Sequence, residues 1–490
     1  MTNKRSNVLL VGFAKDIFGN KEFDTRELRL ENFAGINIQF SLSNSTAIIL
    51  KYDPTNAGAL KRQLLKFGTR ALDNGLMIIV VYDQIEYGKH VQPIIDSSDV
   101  SRKSDIISMC LAFTPDYKVA QKIARHDPGP PLNPELEIRP RGIRLGKTVR
   151  LFMKRAFQDC KIIEIIKLRE GHSASVYSVY SHREKSPVGP RPLPFFAKAD
   201  DRDKIEKEYT NYEMFVFNFI PFNLRPQLES TRGIKGNKLS MLVGSFVEKS
   251  ESLKETVHRG QASEAIYSLF DDTLRGWRMQ KHQEKGNIFG AANISFPSPP
   301  ILEKRLSTAS KYGASKTRNE LMDILRALPK VKFMSTTIHN DLHADNVRVR
   351  KDDAILIDFA MARQGPIMAD PVSLEVSIAF GYINEYESWL KMINELYSMD
   401  NLKTTPPYWD PDHTKRTLEW LWTAIRQIRL LALPMSVSQF EYATLVAISL
   451  LRWSAYKSSY STIKMRREDE RQRDHAYAIG EKLLVEISGY

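Results

Sequence analysis

The chain has 490 residues, 42% hydrophobic and 26% charged, a globular composition with room for two to four domains. Two cysteines, Cys110 and Cys160, exclude a disulfide framework, and no apolar run reaches the roughly 18 residues of a membrane-spanning helix. A formal net charge of +13, most of it beyond residue 130, favours an anionic partner such as nucleotide, RNA or an acidic protein surface, without excluding a merely basic surface.

The opening MTNKRSNVLLVGFAKD sets basic residues before an apolar run that ends early and lacks a small-residue cleavage site. It reads as a strand rather than a signal peptide, and the cytoplasm is the expected compartment. That run, residues 8–12, is joined by 36–40, 47–52 and 76–82 as short runs of strand character. Between the last two, ALKRQLLKFGTRALDNG carries Leu60, Leu64, Leu65, Phe67 and Leu72 near helical spacing and stops at Asn-Gly. A strand, helix and strand of this length imply a right-handed crossover and a parallel sheet. Residues 1–125 are therefore expected to form a doubly wound α/β module, receiver-like or Rossmann-like. Asp53 stands where a response-regulator receiver carries its phosphoacceptor, at the carboxyl end of a strand. No acidic pair follows the first strand, however, and Asp83 stands where Ser or Thr is expected. A degenerate receiver, a ligand sensor and a docking domain without ligand all stay open.

Residues 126–146 hold five Pro and three Gly, so a basic linker is expected at 126–150. It runs into RPRGIRLGKTVRLFMKR, with seven basic residues and no acid, which reads as a solvated face before it reads as a nucleic-acid surface. A β-rich block, 151–250, follows, with strands at 161–168, 176–181, 194–198 and 239–247 and a helix through DRDKIEKEYTNYEMFVFNFI. From 251 to 490 the pattern is mainly helical, with long amphipathic stretches at 417–433, 440–453 and 466–487. A small β-rich lobe and a large helical lobe predict an α+β bilobal domain with a ligand cleft.

The stretch TTIHNDLHADNVRVRKDDAILIDFA, residues 336–360, concentrates two His, five Asp and two Asn. His339 and His343 have zinc-site spacing, but Asn340 occupies the place of the Glu such sites require, and the Asn-Asp and Ala-Asp-Asn sequences favour a loop over a helix. After Asn346, Val347-Arg348-Val349-Arg350 alternates as a strand, Lys351-Asp352-Asp353 turns, and Ala354-Ile355-Leu356-Ile357 returns to Asp358. Antiparallel pairing brings Asn346 near Asp358, two oxygen donors suited to a hard cation such as Mg2+. Asp341 lies close enough in sequence to reach the same mouth and accept a hydroxyl proton.

His339-Asn340-Asp341-Leu342-His343-Ala344-Asp345-Asn346 resembles the H-x-D-x-x-x-x-N loop of aminoglycoside phosphotransferases and choline kinases, with Ile357-Asp358-Phe359 as the counterpart of the protein-kinase D-F-G. The resemblance implies a protein-kinase-like fold and ATP-dependent transfer to an alcohol. Asp341 would be the base, Asn346 and Asp358 the metal ligands, and His339 a brace; Asp370 would anchor the loop. Upstream, Glu170 to Val176 would cover the phosphates through Gly171, Ser173 and Ser175. Lys198 would hold the phosphates, with Glu208 behind it and Glu206 as the rival. Phe246, Val247 and Glu248 would form the adenine hinge. The motifs span about 160–380, and the first 125 residues lie outside the resemblance.

No motif names the acceptor, which is open among small molecule, RNA and protein; Trp420, Trp422 and Trp453 are candidates to line its pocket, though their helical spacing favours core. The alternatives are a catalytically inactive nucleotide sensor or scaffold, and an RNA-binding unit that delivers RNA or a translation factor to the kinase. Oligomeric state is not readable.

Overall fold

The computed structural model describes residues 6–11, 23–28, 45, 47–68, 71, 76–97, 107–111, 118, 129–130, 132–168, 175–183, 192–236, 238–294, 296–408, 418–438, 440–458 and 460–489. The chain divides into two compact units: Met1–Lys207 with Gln227–Phe246, and Glu208–Pro226 with Val247–Tyr490.

The first unit holds two sheets. β1 (Ser6–Val11), β2 (Phe23–Leu28), β3 (Ala47–Lys51), β4 (Met77–Tyr82) and β5 (Ile107–Leu111) pair in parallel in the order β2-β1-β3-β4-β5. Ile48, Leu50, Ile78 and Val80 join Leu60, Leu64 and Val91 in one core, where α1 (Ala57–Gln63) and α2 (Gly88–Asp96) contribute. Ala47, Ile49, Met77 and Ile79 are buried as well, so β3 and β4 are covered on both faces, as parallel strands require. β2 and β5 were not anticipated. The expected strand at 36–40 lies outside the described residues. Asp53 follows β3 and accepts from the amide and hydroxyl of Thr55 at 2.9 and 2.6 Å, capping a short turn. Those hydrogen bonds hold its carboxylate below the ordinary range.

The second sheet runs β10-β9-β8-β7-β6, built from β6 (Glu137–Arg141), β7 (Cys160–Lys167), β8 (Ser175–Arg183), β9 (Leu193–Asp201) and β10 (Leu239–Ser245). All pairs are antiparallel except β6 with β7. β6 and the first turn of α3 (Lys147–Ala156) lie within the stretch 126–150 expected as a linker. Pro140 is compatible with β6 because that strand is the sheet's edge. Phe152, Met153, Ile163, Ile165, Val179 and Ala197 fill the core beneath. The buried Arg155 of α3 donates to the carbonyls of Pro130 and Ser45, at 3.3 and 3.1 Å.

α4 (Arg202–Asn211) crosses the division between the units. In the second unit, β11 (Glu251–Ser252), β14 (Val347–Arg350) and β15 (Asp353–Leu356) form one small sheet, and β12 (His282–Gly286), β13 (Val331–Ile338) and β16 (Arg363–Pro366) another. The rest is helical. α5 (Ala369–Phe380), α6 (Glu419–Ala432), α7 (Glu441–Ser454) and α8 (Ile463–Ser488) make its framework. α5, α6 and α7 meet at a buried cluster. Arg429 donates to both Glu375 oxygens at 3.0 and 2.7 Å, and the Tyr442 hydroxyl donates to Glu375 at 2.5 Å. No helix among the described residues is long and apolar enough to cross a membrane.

Candidate functional site

β13 ends buried, and the chain then has to turn out of the core without orphaning its amides. The carboxylate of Asp370, in the first turn of α5, solves this by accepting from the amides of His339 and Asn340 at 2.7 and 2.9 Å. Burial pushes that carboxyl up, and the two amides with His339 only partly offset it. Asn340 takes φ +61°, a left-handed conformation that Asn tolerates better than most residues.

His339 is fully buried, and its Nε2 lies 2.9 Å from the carbonyl of Ile357. A carbonyl only accepts, so Nε2 carries the proton and is not offered to a metal. The ring thus ties the loop to the strand end that carries Asp358, with the Phe359 ring 5.7 Å away.

The β14–β15 hairpin pairs Val347 with Leu356, and the amide of Ile357 donates to the carbonyl of Asn346 at 3.0 Å. Asn346 and Asp358 are thereby held at one end of a rigid ladder. Asn346 Nδ2 donates back to the carbonyl of Asp341 at 3.0 Å. That bond fixes the orientation of the Asn346 amide. Asp358 adopts φ +65°, left-handed and strained by about 1–2 kcal/mol for a residue with a Cβ. The carbonyls beyond it, Phe359 and Ala360, both accept from Asn211 Nδ2 at 3.0 Å.

Asp341 is partly exposed at the mouth of this assembly. Its Oδ1 accepts from Arg452, on α7, at 2.8 Å, and Arg452 also donates to the Asn340 carbonyl at 3.3 Å. Around them lies a recess of about 460 Å³ of empty space, counted to its open mouth. His343 lines it, and burial pushes that imidazole below its ordinary range against the pull of Asp341 and Asp345. The Ala344 amide is held by Ser377 at 3.2 Å.

Among the residues expected from sequence, His339, Asp341, Asn346 and Asp358 meet in this one assembly. Ser175, Lys198 and Phe246 belong to the first unit. Lys198 is buried in the middle of β9, opposite Val176 and Leu242, and Ser175 begins β8. The Phe246 amide donates to Pro194 at 3.2 Å. Glu208, Val247 and Glu248 fall in the second unit. Glu208 is buried, whereas Glu206 accepts from Arg202 at 2.6 Å. Gly171 and Ser173 lie outside the described residues. Of the three tryptophans, Trp453 lines the recess, while Trp422 is buried with its indole on the Pro407 carbonyl at 2.9 Å. Asn211 and Arg452 escaped the sequence reading. Each reaches the loop from a distant helix, and neither sits in a local motif.

Residues 299–411 match the model of a phosphotransferase enzyme family, a stretch that contains the whole loop and hairpin. No curated protein sequence matches the chain. Among solved structures, the chain is similar to aminoglycoside phosphotransferase APH(4)-Ia at 12% identity, with 70% of this chain and 98% of that chain covered and a TM-score of 0.38. It is similar to amicoumacin kinase hAmiN, solved with AMP-PNP, Ca2+ and Ami, at 14% identity, with 65% and 88% covered and a TM-score of 0.38. A choline kinase from Cryptosporidium parvum Iowa II stands at 9% identity, with 66% and 90% covered and a TM-score of 0.35.

Proposed function

We propose, taking the match of residues 299–411 to a phosphotransferase family as the premise, that the chain is an ATP-dependent kinase acting on a hydroxyl. The observation that carries this reading is the locked loop. Asp370 pins its start, His339 ties it to Ile357, and Asn346 ties it to Asp341, so three oxygen-bearing side chains share one rigid hairpin end.

In this reading the acceptor oxygen attacks the γ-phosphorus as Asp341 orients it and takes its proton. The new P–O bond forms while the bond from the γ-phosphorus to the β–γ bridging oxygen breaks, and ADP leaves with that electron pair. Asn346 Oδ1 and the Asp358 carboxylate are hard oxygen donors that suit Mg2+, which takes few protein ligands and fills its shell with water and phosphate. When bound, it would neutralise charge on the phosphates. Lys198 is assigned to the phosphates, with Glu208 supporting it. Gly171, Ser173 and Ser175 are assigned to the phosphate loop, and Phe246, Val247 and Glu248 to the adenine hinge. These assignments rest on the order of the motifs along the chain. Residues 1–125 are read as a doubly wound, receiver-like or Rossmann-like regulatory module, and the protein as cytoplasmic.

The test is labelled γ-phosphate transfer into cell extract separated into small-molecule, RNA and protein fractions, with Mg2+ present. Asp341→Ala is expected to lower transfer about 10²–10⁴-fold while ATP binding persists. Full transfer by that variant rejects the assignment.

A further inference from the structure

The recess beside Asp341 has a one-sided chemistry. Among the described residues, Asp341 is the only carboxylate on its wall. The rest of the lining includes Arg452, His343, Ser373, Ser449, Trp453 and Tyr456, while the Ser377 hydroxyl there already donates to the Leu374 carbonyl. A cationic acceptor needs carboxylates of its own to replace lost hydration, and here the single one belongs to the reaction. An anionic acceptor finds donors. Arg452 donates to the Asn340 carbonyl, to Asp341 and to the Tyr456 hydroxyl, which leaves about two of its five N–H groups for a carboxylate or phosphate. The Trp453 Nε1–H is buried and donates to no group among the described residues.

We infer that the recess is an acceptor subsite for a small hydroxyl compound bearing an anionic group, carboxylate or phosphate, and that Arg452 binds that group while holding Asp341. This rests on the phosphotransfer reading. The anion on Arg452 sets the distance at which the acceptor's hydroxyl meets Asp341. Its proton then passes to Asp341, its oxygen bonds to the γ-phosphorus of ATP, and ADP departs.

Isothermal titration of the full chain with three probes tests the subsite without requiring turnover: glycerate for carboxylate, glycerol 3-phosphate for phosphate, and ethanolamine for cation. At least one of the anions is expected to bind and ethanolamine is not. Arg452→Met is expected to weaken anion binding by about tenfold or more, and Arg452→Lys by less, because the charge stays while the fork is lost. Preferential binding of ethanolamine, binding of neither anion, or anion affinity unchanged in Arg452→Met would each overturn the inference. Because binding is read directly, loss of the Asp341 assignment in the transfer assay would leave this result standing, and the reverse also holds. The two anionic probes separate carboxylate from phosphate as the natural group.

Discussion

Asp370 accepts the amide of His339 at 2.7 Å from a position with 3% exposure, so one buried carboxylate sets where the reactive loop leaves the core. Its second oxygen takes Asn340. Asp370→Asn keeps one acceptor and orphans one amide, a cost of about 1–3 kcal/mol. It is expected to lower kcat by about ten- to a hundredfold with the KM for ATP little changed. Steady-state kinetics, together with faster amide exchange over residues 339–346, check this. Unchanged exchange counts against the anchoring role.

Asn211 clamps the two carbonyls after Asp358. Asn211→Leu preserves bulk and removes both donors, freeing a left-handed backbone to relax. The half-saturating Mg2+ concentration is expected to rise about tenfold or more, as for other residues that orient a metal ligand from behind. Activity measured across a Mg2+ titration gives the number, and an unshifted midpoint would sink the idea.

The ion pair of Arg429 with Glu375 is buried on both sides. Removing one partner leaves the other charged and dry. Arg429→Met is expected to cost about 3–5 kcal/mol. Replacing all three members together, Glu375→Leu with Arg429→Met and Tyr442→Phe, is expected to recover most of that loss, since no charge is stranded. Urea unfolding midpoints compare the two.

Glu441 is buried at the start of α7, and burial raises its carboxyl from 4.5 to about 7. Its folded-state value lies above its unfolded value. The folded chain therefore holds the extra proton between those values, and stability falls as pH rises through that window. The contribution is fully present below about pH 4.5 and gone above about pH 7. Glu441→Gln is expected to remove this slope and to stabilise the protein near pH 8 by about 1–3 kcal/mol. Thermal melts of both proteins from about pH 5 to 8 test the sign.

The local geometry of the loop was legible because it is set over short sequence distances. Asp341, Asn346 and Asp358 are fixed by a turn and one hairpin, and hairpin register follows from alternation and loop length. The existence of β7, β8 and β9 was legible for the same reason, although β8 and β9 run two or three residues beyond the expected ends at 181 and 198. β2 was not, because FDTREL carries charge at half its positions and lacks a strand pattern. β6 was hidden by Pro140 and by prolines around it, which signal a linker when the parallel pairing to β7 is unseen. Arg452 and Asn211 were out of reach for a different reason. Their roles arise from tertiary packing across about a hundred residues or more, and helical periodicity cannot distinguish such a side chain from any other polar face.

The second unit is assembled from two separated lengths of chain, and this has a consequence for biosynthesis. Glu208–Pro226 leaves the ribosome long before its partners: Trp277, whose indole donates to the Phe215 carbonyl at 2.5 Å, and the Phe359 and Ala360 carbonyls held by Asn211. At about 5–20 residues per second, Asn211 waits on the order of ten seconds for Phe359. During that interval its apolar neighbours, Tyr212, Val216 and Ile220, are buried by nothing that belongs to their own unit's later part. The nascent chain is therefore expected to expose this segment until its partners are made, the interval in which a chaperone would engage it.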